Sequence, residues 1–235
     1  MKKNYIVEII EKLKEAHPEA KCSLNFTTPF EMAIAVMLSA QCTDERVNKI
    51  TPGLFSKYKT PEDFNKIDIE ILEKEIYSCG FYKNKAKNIK LLAKVLIENY
   101  EGEIPQNMEE LIKLPGIGRK SANVIMLEAF NRPVGIAIDT HAKRVSNRLG
   151  LSNKKDPEKI EKDLLKVVPA EYIKDVNHLF VFHGRKICKS QSPKCDICPV
   201  SEYCKYFNSR YKGKNNEWKI FKYSFSSSLP VSVAS

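Results

Sequence analysis

The sequence predicts an all-α fold. Three observations carry this: apolar residues recur at helical spacing along most of the chain, short turns rich in Pro, Asn and Gly separate those stretches, and no segment alternates as a half-buried strand does. At 235 residues the chain is long enough for one large domain or two small ones. Ile6, Ile9, Ile10 and Leu13 mark an amphipathic first helix that ends before Pro18. Thr28-Pro29 supplies a capping hydroxyl and a first-turn proline ahead of Phe30 to Gln41, which is apolar nearly all round and therefore central. Asp44 caps a third helix that Pro52 and Gly53 disturb. Further helices are expected from Ile69 to Cys79, ending at Gly80, and from Lys85 to Tyr100, ending at Gly102. Leu111 to Phe130 reads as helix, Leu-Pro-Gly-Ile-Gly, helix. Asp139 caps a helix stopped by Gly150, and Asp156-Pro157 starts one through Val168. From about Ser209 the composition turns basic and aromatic, then Ser-rich, which predicts a poorly ordered tail over 209–235.

Charge narrows the function classes. The formal net charge of +10 favours a polyanionic partner, nucleic acid before an anionic membrane surface. The longest apolar stretch, near Met32 to Leu38, is far shorter than the ~20 residues of a membrane helix. Glu8 and Glu11 interrupt any secretory signal after Lys2 and Lys3. These features predict a soluble protein of a reducing compartment, where seven cysteines call for an explanation other than disulfides.

Cys188, Cys195, Cys198 and Cys204 form the spacing C-x6-C-x2-C-x5-C. Four thiolates so close in sequence suffice for one [4Fe–4S] cluster. Structural zinc usually takes two close pairs, and only Cys195 and Cys198 make one, so spacing favours iron–sulfur and leaves zinc open. Cys22, Cys42 and Cys79 are read as buried free thiols. Arg185, Lys186, Lys189 and Lys194 beside the ligands are either a solvated rim or a basic loop that meets phosphates, and Arg185 and Lys189 are taken as DNA contacts.

Leu114-Pro115-Gly116-Ile117-Gly118 lies between helices and lacks the frame of a nucleotide-binding P-loop. Gly116 and Gly118 let the backbone turn tightly, and the N-terminus of the next helix then favours an anion such as a DNA phosphate. Lys120 falls in the first turn of that helix beside Arg119. The helix dipole and the neighbouring cation disfavour an ammonium there, leaving an amine able to attack a sugar C1′ and form a Schiff base. A simple phosphate-contacting lysine is the competing reading. Asp139 in Asp139-Thr140-His141 is a natural helix cap, and near Lys120 its carboxylate could deprotonate the amine or balance a cationic transition state.

Leu-Pro-Gly-Ile-Gly-Arg-Lys at 114–120, Ile-Asp-Thr-His at 138–141, Leu38-Ser39-Ala40-Gln41 with Thr43-Asp44, and the four-cysteine pattern together resemble the endonuclease III family over residues 1–208. The resemblance implies the two-domain helix-hairpin-helix DNA glycosylase fold: a six-helix barrel at 22–132, and an iron–sulfur domain built from 1–21 and 133–208. It selects [4Fe–4S] over zinc. It implies a bifunctional DNA glycosylase and AP lyase of base excision repair that acts on oxidised pyrimidines or abasic sites in duplex DNA. Lys120 and Asp139 would be its catalytic residues. Gln41 would fill the gap left by the flipped base, and Phe81 stands where relatives commonly carry an aliphatic wedge, which leaves lesion and opposite-base preference open. His141 is placed near the DNA or in an orienting hydrogen bond within the protein. A cytoplasmic, nucleoid-associated monomer is expected. The alternatives are a non-catalytic iron–sulfur DNA-binding module, and a superfamily glycosylase acting on mismatched bases; Lys120 argues against both.

Overall fold

The computed structural model describes residues 3–211, and the chain there is helical, with no strand among the described residues. The order is α1 (Lys3–Ala16), α2 (Pro29–Ser39), α3 (Asp44–Lys57), α4 (Pro61–Lys66), α5 (Ile69–Glu75), α6 (Tyr82–Asn99), α7 (Met108–Leu111), α8 (Arg119–Glu128), α9 (Thr140–Leu149), α10 (Pro157–Val167), α11 (Ile173–Lys186) and α12 (Lys205–Tyr211). Local chemistry sets most starts. Thr28 Oγ1 accepts from the Glu31 N–H at 3.1 Å, Asp139 Oδ1 from Ala142 at 2.7 Å and Asp156 Oδ1 from Lys159 at 3.0 Å. None of the helices among the described residues is long and apolar enough to cross a membrane.

Several boundaries depart from the sequence expectation, each for a physical reason. Thr43, not Asp44, caps α3: its Oγ1 accepts from Arg46 N–H at 3.2 Å, while the Asp44 carboxylate takes Ser23 Oγ at 2.5 Å. Pro52 and Gly53 do not disturb α3, because Val47, Thr51 and Leu54 are buried along one face and hold the turn that proline weakens. The short helix α4 was not anticipated, yet its Thr60–Asp63 capping box is a sequence signal. Helix α5 stops at Glu75 and α6 begins at Tyr82, because the chain between them turns through a left-handed Phe81 (φ 58°). Lys85, expected as the first residue of that helix, is buried within it, and its ammonium donates to the Leu38 carbonyl at 2.8 Å, tying α6 to the end of α2. Helix α11 was also missed. The expected tail begins inside α12, and its remainder lies outside the described residues.

The buried apolar side chains gather into two cores. One joins α2 through α8, with Met32, Ile34, Leu38, Ile89 and Ile125 among its fully enclosed members. The other joins α1 to α9, α10 and α11 through Ile9, Ile10, Leu13, Val145, Ile160 and Phe180. Helix α8 packs on α2 in the first core, and α11 packs on both α1 and α9 in the second. The chain crosses twice between the cores, once after α1 and once between α8 and α9.

Candidate active site

A cleft with about 130 Å³ of free space lies between the two cores. Lys120 and Val124 of α8, Ser39 of α2, Asp139 at the start of α9 and His178 of α11 all line it. Lys120 and Asp139, nineteen positions apart in sequence, therefore share one cleft. Lys120 is exposed on the first turn of α8. Asp139 is half-buried and is both cap and cleft wall: Oδ1 is committed to Ala142 N–H, which fixes the carboxylate's orientation.

The turn before α8 is shaped by Gly116, whose φ of 76° favours glycine and where an added Cβ would meet Met37 and Asn88. Gly118 occupies the cap position with no side chain to cover the first N–H groups of α8, so that helix end presents bare donors to the solvent side.

Arg119 does not stand free for DNA. Its Nε donates to Glu161 Oε2 at 2.6 Å, and Glu161, only 2% exposed, also accepts from Asn123 Nδ2 at 2.7 Å and from Ile136 N–H at 3.3 Å. This pairing raises the Arg119 pKa above its ordinary value, and it compensates the cation that sequence reasoning set beside Lys120. Glu161 belongs to α10 of the second core and Arg119 and Asn123 to α8 of the first, so the network ties α8 to the second core. Gly135 passes so close to the Glu161 carboxylate and the Asn123 amide oxygen that an added Cβ would meet both. Gly135→Ala is expected to lower stability by about 1–3 kcal/mol through overpacking, read as a fall in thermal midpoint.

Gln41 and Phe81 come together. Both are exposed, both have left-handed backbones (φ 52° and 58°), and a Cβ on Gly80 would sit 3.5 Å from the Gln41 carbonyl. Phe81 is 67% exposed, a large apolar ring held out from the surface next to Tyr82, whose ring packs at a tilt against Tyr77 with centroids 4.9 Å apart. His141 is tied inside the protein, with Nδ1 at 3.1 Å from Arg144 Nη2. Arg185 lines the cleft and lies 3.4 Å from Asp44, and the Lys189 side chain is exposed.

The four cysteines Cys188, Cys195, Cys198 and Cys204 line a second, mostly apolar cavity under α9. Burial first, then repulsion between neighbouring thiolates, pushes Cys198 up to about 12 and raises Cys195 and Cys204. Four thiolates there need compensating positive charge. All four thiols line this one cavity, which brings together the four ligands that a cluster takes. Arg148 completes the wall: Nη1 donates to Cys188 Sγ at 3.4 Å and to the Lys189 carbonyl at 2.6 Å, Nη2 to the Ser190 carbonyl at 3.0 Å, and the guanidinium stacks on Tyr206 at 4.6 Å. Arg144 Nε adds a bond to the Cys188 carbonyl at 2.8 Å. Neither arginine was singled out from sequence, nor were Glu161, Asn123, Glu128 and His178, because each pairs with a residue 38 or more positions away.

Comparison with known proteins agrees with this geometry. Residues 34–170 match the profile of the HhH-GPD superfamily base excision DNA repair protein, and residues 188–204, bounded by Cys188 and Cys204, match the iron-sulfur binding domain of endonuclease III. Endonuclease III of Bacillus subtilis is 48% identical over 204 residues, covering 86% of this chain and 93% of that protein. Its counterpart in Escherichia coli K12 is 42% identical over 206 residues, covering 88% and 97%. A trapped endonuclease III–DNA covalent intermediate superposes with a TM-score of 0.83 at 45% identity, over 89% of this chain and 99% of that one. A thermostable thymine-DNA glycosylase shares the fold, with a TM-score of 0.80 at 24% identity. The cofactor of this chain is a [4Fe–4S] cluster. With its hairpin, its lysine-bearing cleft and its four-cysteine cavity, the chain belongs to the endonuclease III family of base-excision repair proteins.

Proposed function

We propose that this DNA glycosylase and AP lyase removes oxidised or ring-saturated pyrimidines from duplex DNA, with Lys120 as nucleophile and Asp139 as its carboxylate partner. The observation that carries the reading is that Lys120 and Asp139 line one cleft, directly after an uncapped hairpin suited to a phosphate. A damaged nucleotide leaves the stack at a cost of a few kcal/mol, which a weakly paired lesion lowers. Asp139 accepts a proton from the Lys120 ammonium or balances positive charge growing on the sugar. Lys120 Nζ then forms a bond to C1′ as the base departs with the electron pair of the glycosidic bond. Ring opening yields the Schiff base. Loss of a C2′ proton drives β-elimination, which breaks the bond to the 3′ phosphate, and water hydrolyses the Schiff base to free the amine.

Gln41 and Phe81 would occupy the space the flipped nucleotide vacates, supported by their shared exposed edge. Gly116, Gly118, Arg185 and Lys189 form the remaining DNA-facing set, while Arg119 and His141 act through internal bonds rather than as free contacts. Cys188, Cys195, Cys198 and Cys204 would hold the cluster and so fix the loop between them, whose positive charge comes from Lys189 and Lys194. The two cores support domains at 22–132 and at 1–21 with 133–208. The protein is read as a monomer acting on DNA in the cytoplasm.

The test is to incubate the holoprotein with a thymine-glycol duplex and borohydride. A covalent protein–DNA adduct is the expected result. Binding without adduct would overturn the lyase reading in favour of a non-catalytic DNA-binding module. Adduct only with a mismatched, undamaged thymine would overturn the substrate reading.

A further inference from the structure

Glu128 and His178 line the same cleft as Lys120 and Asp139, and the mechanism above uses neither. His178 Nε2 lies 3.1 Å from Glu128 Oε1, and the two side chains are only 16% and 15% exposed. Glu128 shares a helix face with Lys120 and Val124, at spacings of four and eight residues. Eight residues of helix place it about 12 Å along the axis from the nucleophile. Lys120 is exposed at one end of the row and Glu128 is enclosed at the other. Val124, Leu127, Val181 and Phe182 supply the apolar walls between. The cleft thus combines apolar walls with several polar groups, Ser39, Asp139 and Asn177 among them, and at this end the polar group is a carboxylate held by its own bond to His178.

We propose that Glu128 is a specificity-determining residue that accepts a hydrogen bond from the N3–H of a uracil- or thymine-derived lesion, and that His178 is the positioning residue that sets its carboxylate. The inference rests on the reading of the cleft as a lesion pocket and deepens it. A base extruded toward C1′-reactive Lys120 would present its Watson–Crick edge to the far end of the row, between apolar walls. A carboxylate is an acceptor only, and the bond to His178 fixes its plane. An imide N3–H satisfies it. A cytosine-derived ring offers no N–H at N3, and its 4-amino group lies one position round the ring. In a site this enclosed, a group left without its partner costs enough to discriminate between substrates.

The abasic site carries no base, so its nicking rate is an internal reference for fold and lyase chemistry. Glu128→Gln and His178→Asn are compared with the wild type on three duplexes, bearing dihydrouracil, 5-hydroxycytosine and a preformed abasic site. The expected result is at least about a tenfold fall in dihydrouracil excision, with a smaller fall on 5-hydroxycytosine and abasic nicking within about twofold. Equal losses on all three substrates would show that the pair merely braces α8 on α11, and would overturn the proposal. Unchanged excision would overturn it too, as would equal losses on the two bases. A wild type that nicks abasic DNA but excises neither base would overturn the lesion reading itself. That outcome is separable from failure of the two variants alone.

Discussion

Lys120→Met is expected to abolish the borohydride-trapped adduct and to slow excision and nicking by about 10³-fold or more, the scale seen when a covalent nucleophile is removed. The fold should survive the change. Lys120 is exposed on the first turn of α8 and takes no part in either core, so its loss falls within the roughly ±0.5 kcal/mol of an ordinary surface substitution. DNA binding should also survive in large part, since the bare helix end at Gly118 donates through backbone N–H groups that the substitution leaves in place. Adduct yield, nicking rate and affinity for a duplex with a stable abasic analogue separate these quantities. An undiminished adduct from the methionine variant would remove Lys120 from the mechanism. A parallel collapse of affinity and activity would return it to a phosphate contact.

Arg119→Met is expected to be the most destabilising of these substitutions. It leaves Glu161, 2% exposed, with Asn123 and Ile136 but no cation. Breaking a buried pair from one side costs about 3–5 kcal/mol, and the lower end applies because Arg119 is itself 37% exposed and partly screened by water. A loss of about 3 kcal/mol corresponds to a fall in thermal midpoint of roughly 6–12 °C for a protein of this size. The double variant Arg119→Met with Glu161→Leu should recover part of it, because an apolar pair removes the stranded charge. Activity of the single variant should fall with the order of the first turn of α8, which the clamp holds against α10. If Arg119→Met melts as the wild type does, the network contributes nothing and Arg119 returns to the pool of free DNA contacts.

How legible the protein was in its sequence follows the range of the forces involved. Helices with a local start signal were readable: Thr28-Pro29, Asp139 and Asp156-Pro157 each place a side-chain acceptor within three residues of the N–H it satisfies. Helix α11 carries no such signal, since Tyr172 makes no side-chain cap, and a 3₁₀ turn at Ala170–Tyr172 leads into it. Its existence depends on Val176, Leu179 and Phe180 burying against α1 and α9, which are distant in sequence. The run through Pro52 in α3 has the same origin, tertiary burial outweighing a local penalty.

The cysteine spacing, the glycine-bearing hairpin and the lysine that follows are local patterns, and the sequence alone was enough to mark the four cluster ligands, the hairpin and the nucleophile candidate, while the choice of [4Fe–4S] over zinc came from the family resemblance of the motifs taken together. Only the tertiary structure decided what surrounds them. Lys120 and Asp139 line one cleft because two cores are folded against each other, Arg119 is paired with a carboxylate forty-two positions away, and Glu128 meets His178 from a helix the sequence did not announce. Caps and ligand motifs are written in neighbouring residues, whereas ion pairs with a buried partner exist only once packing has brought distant segments together.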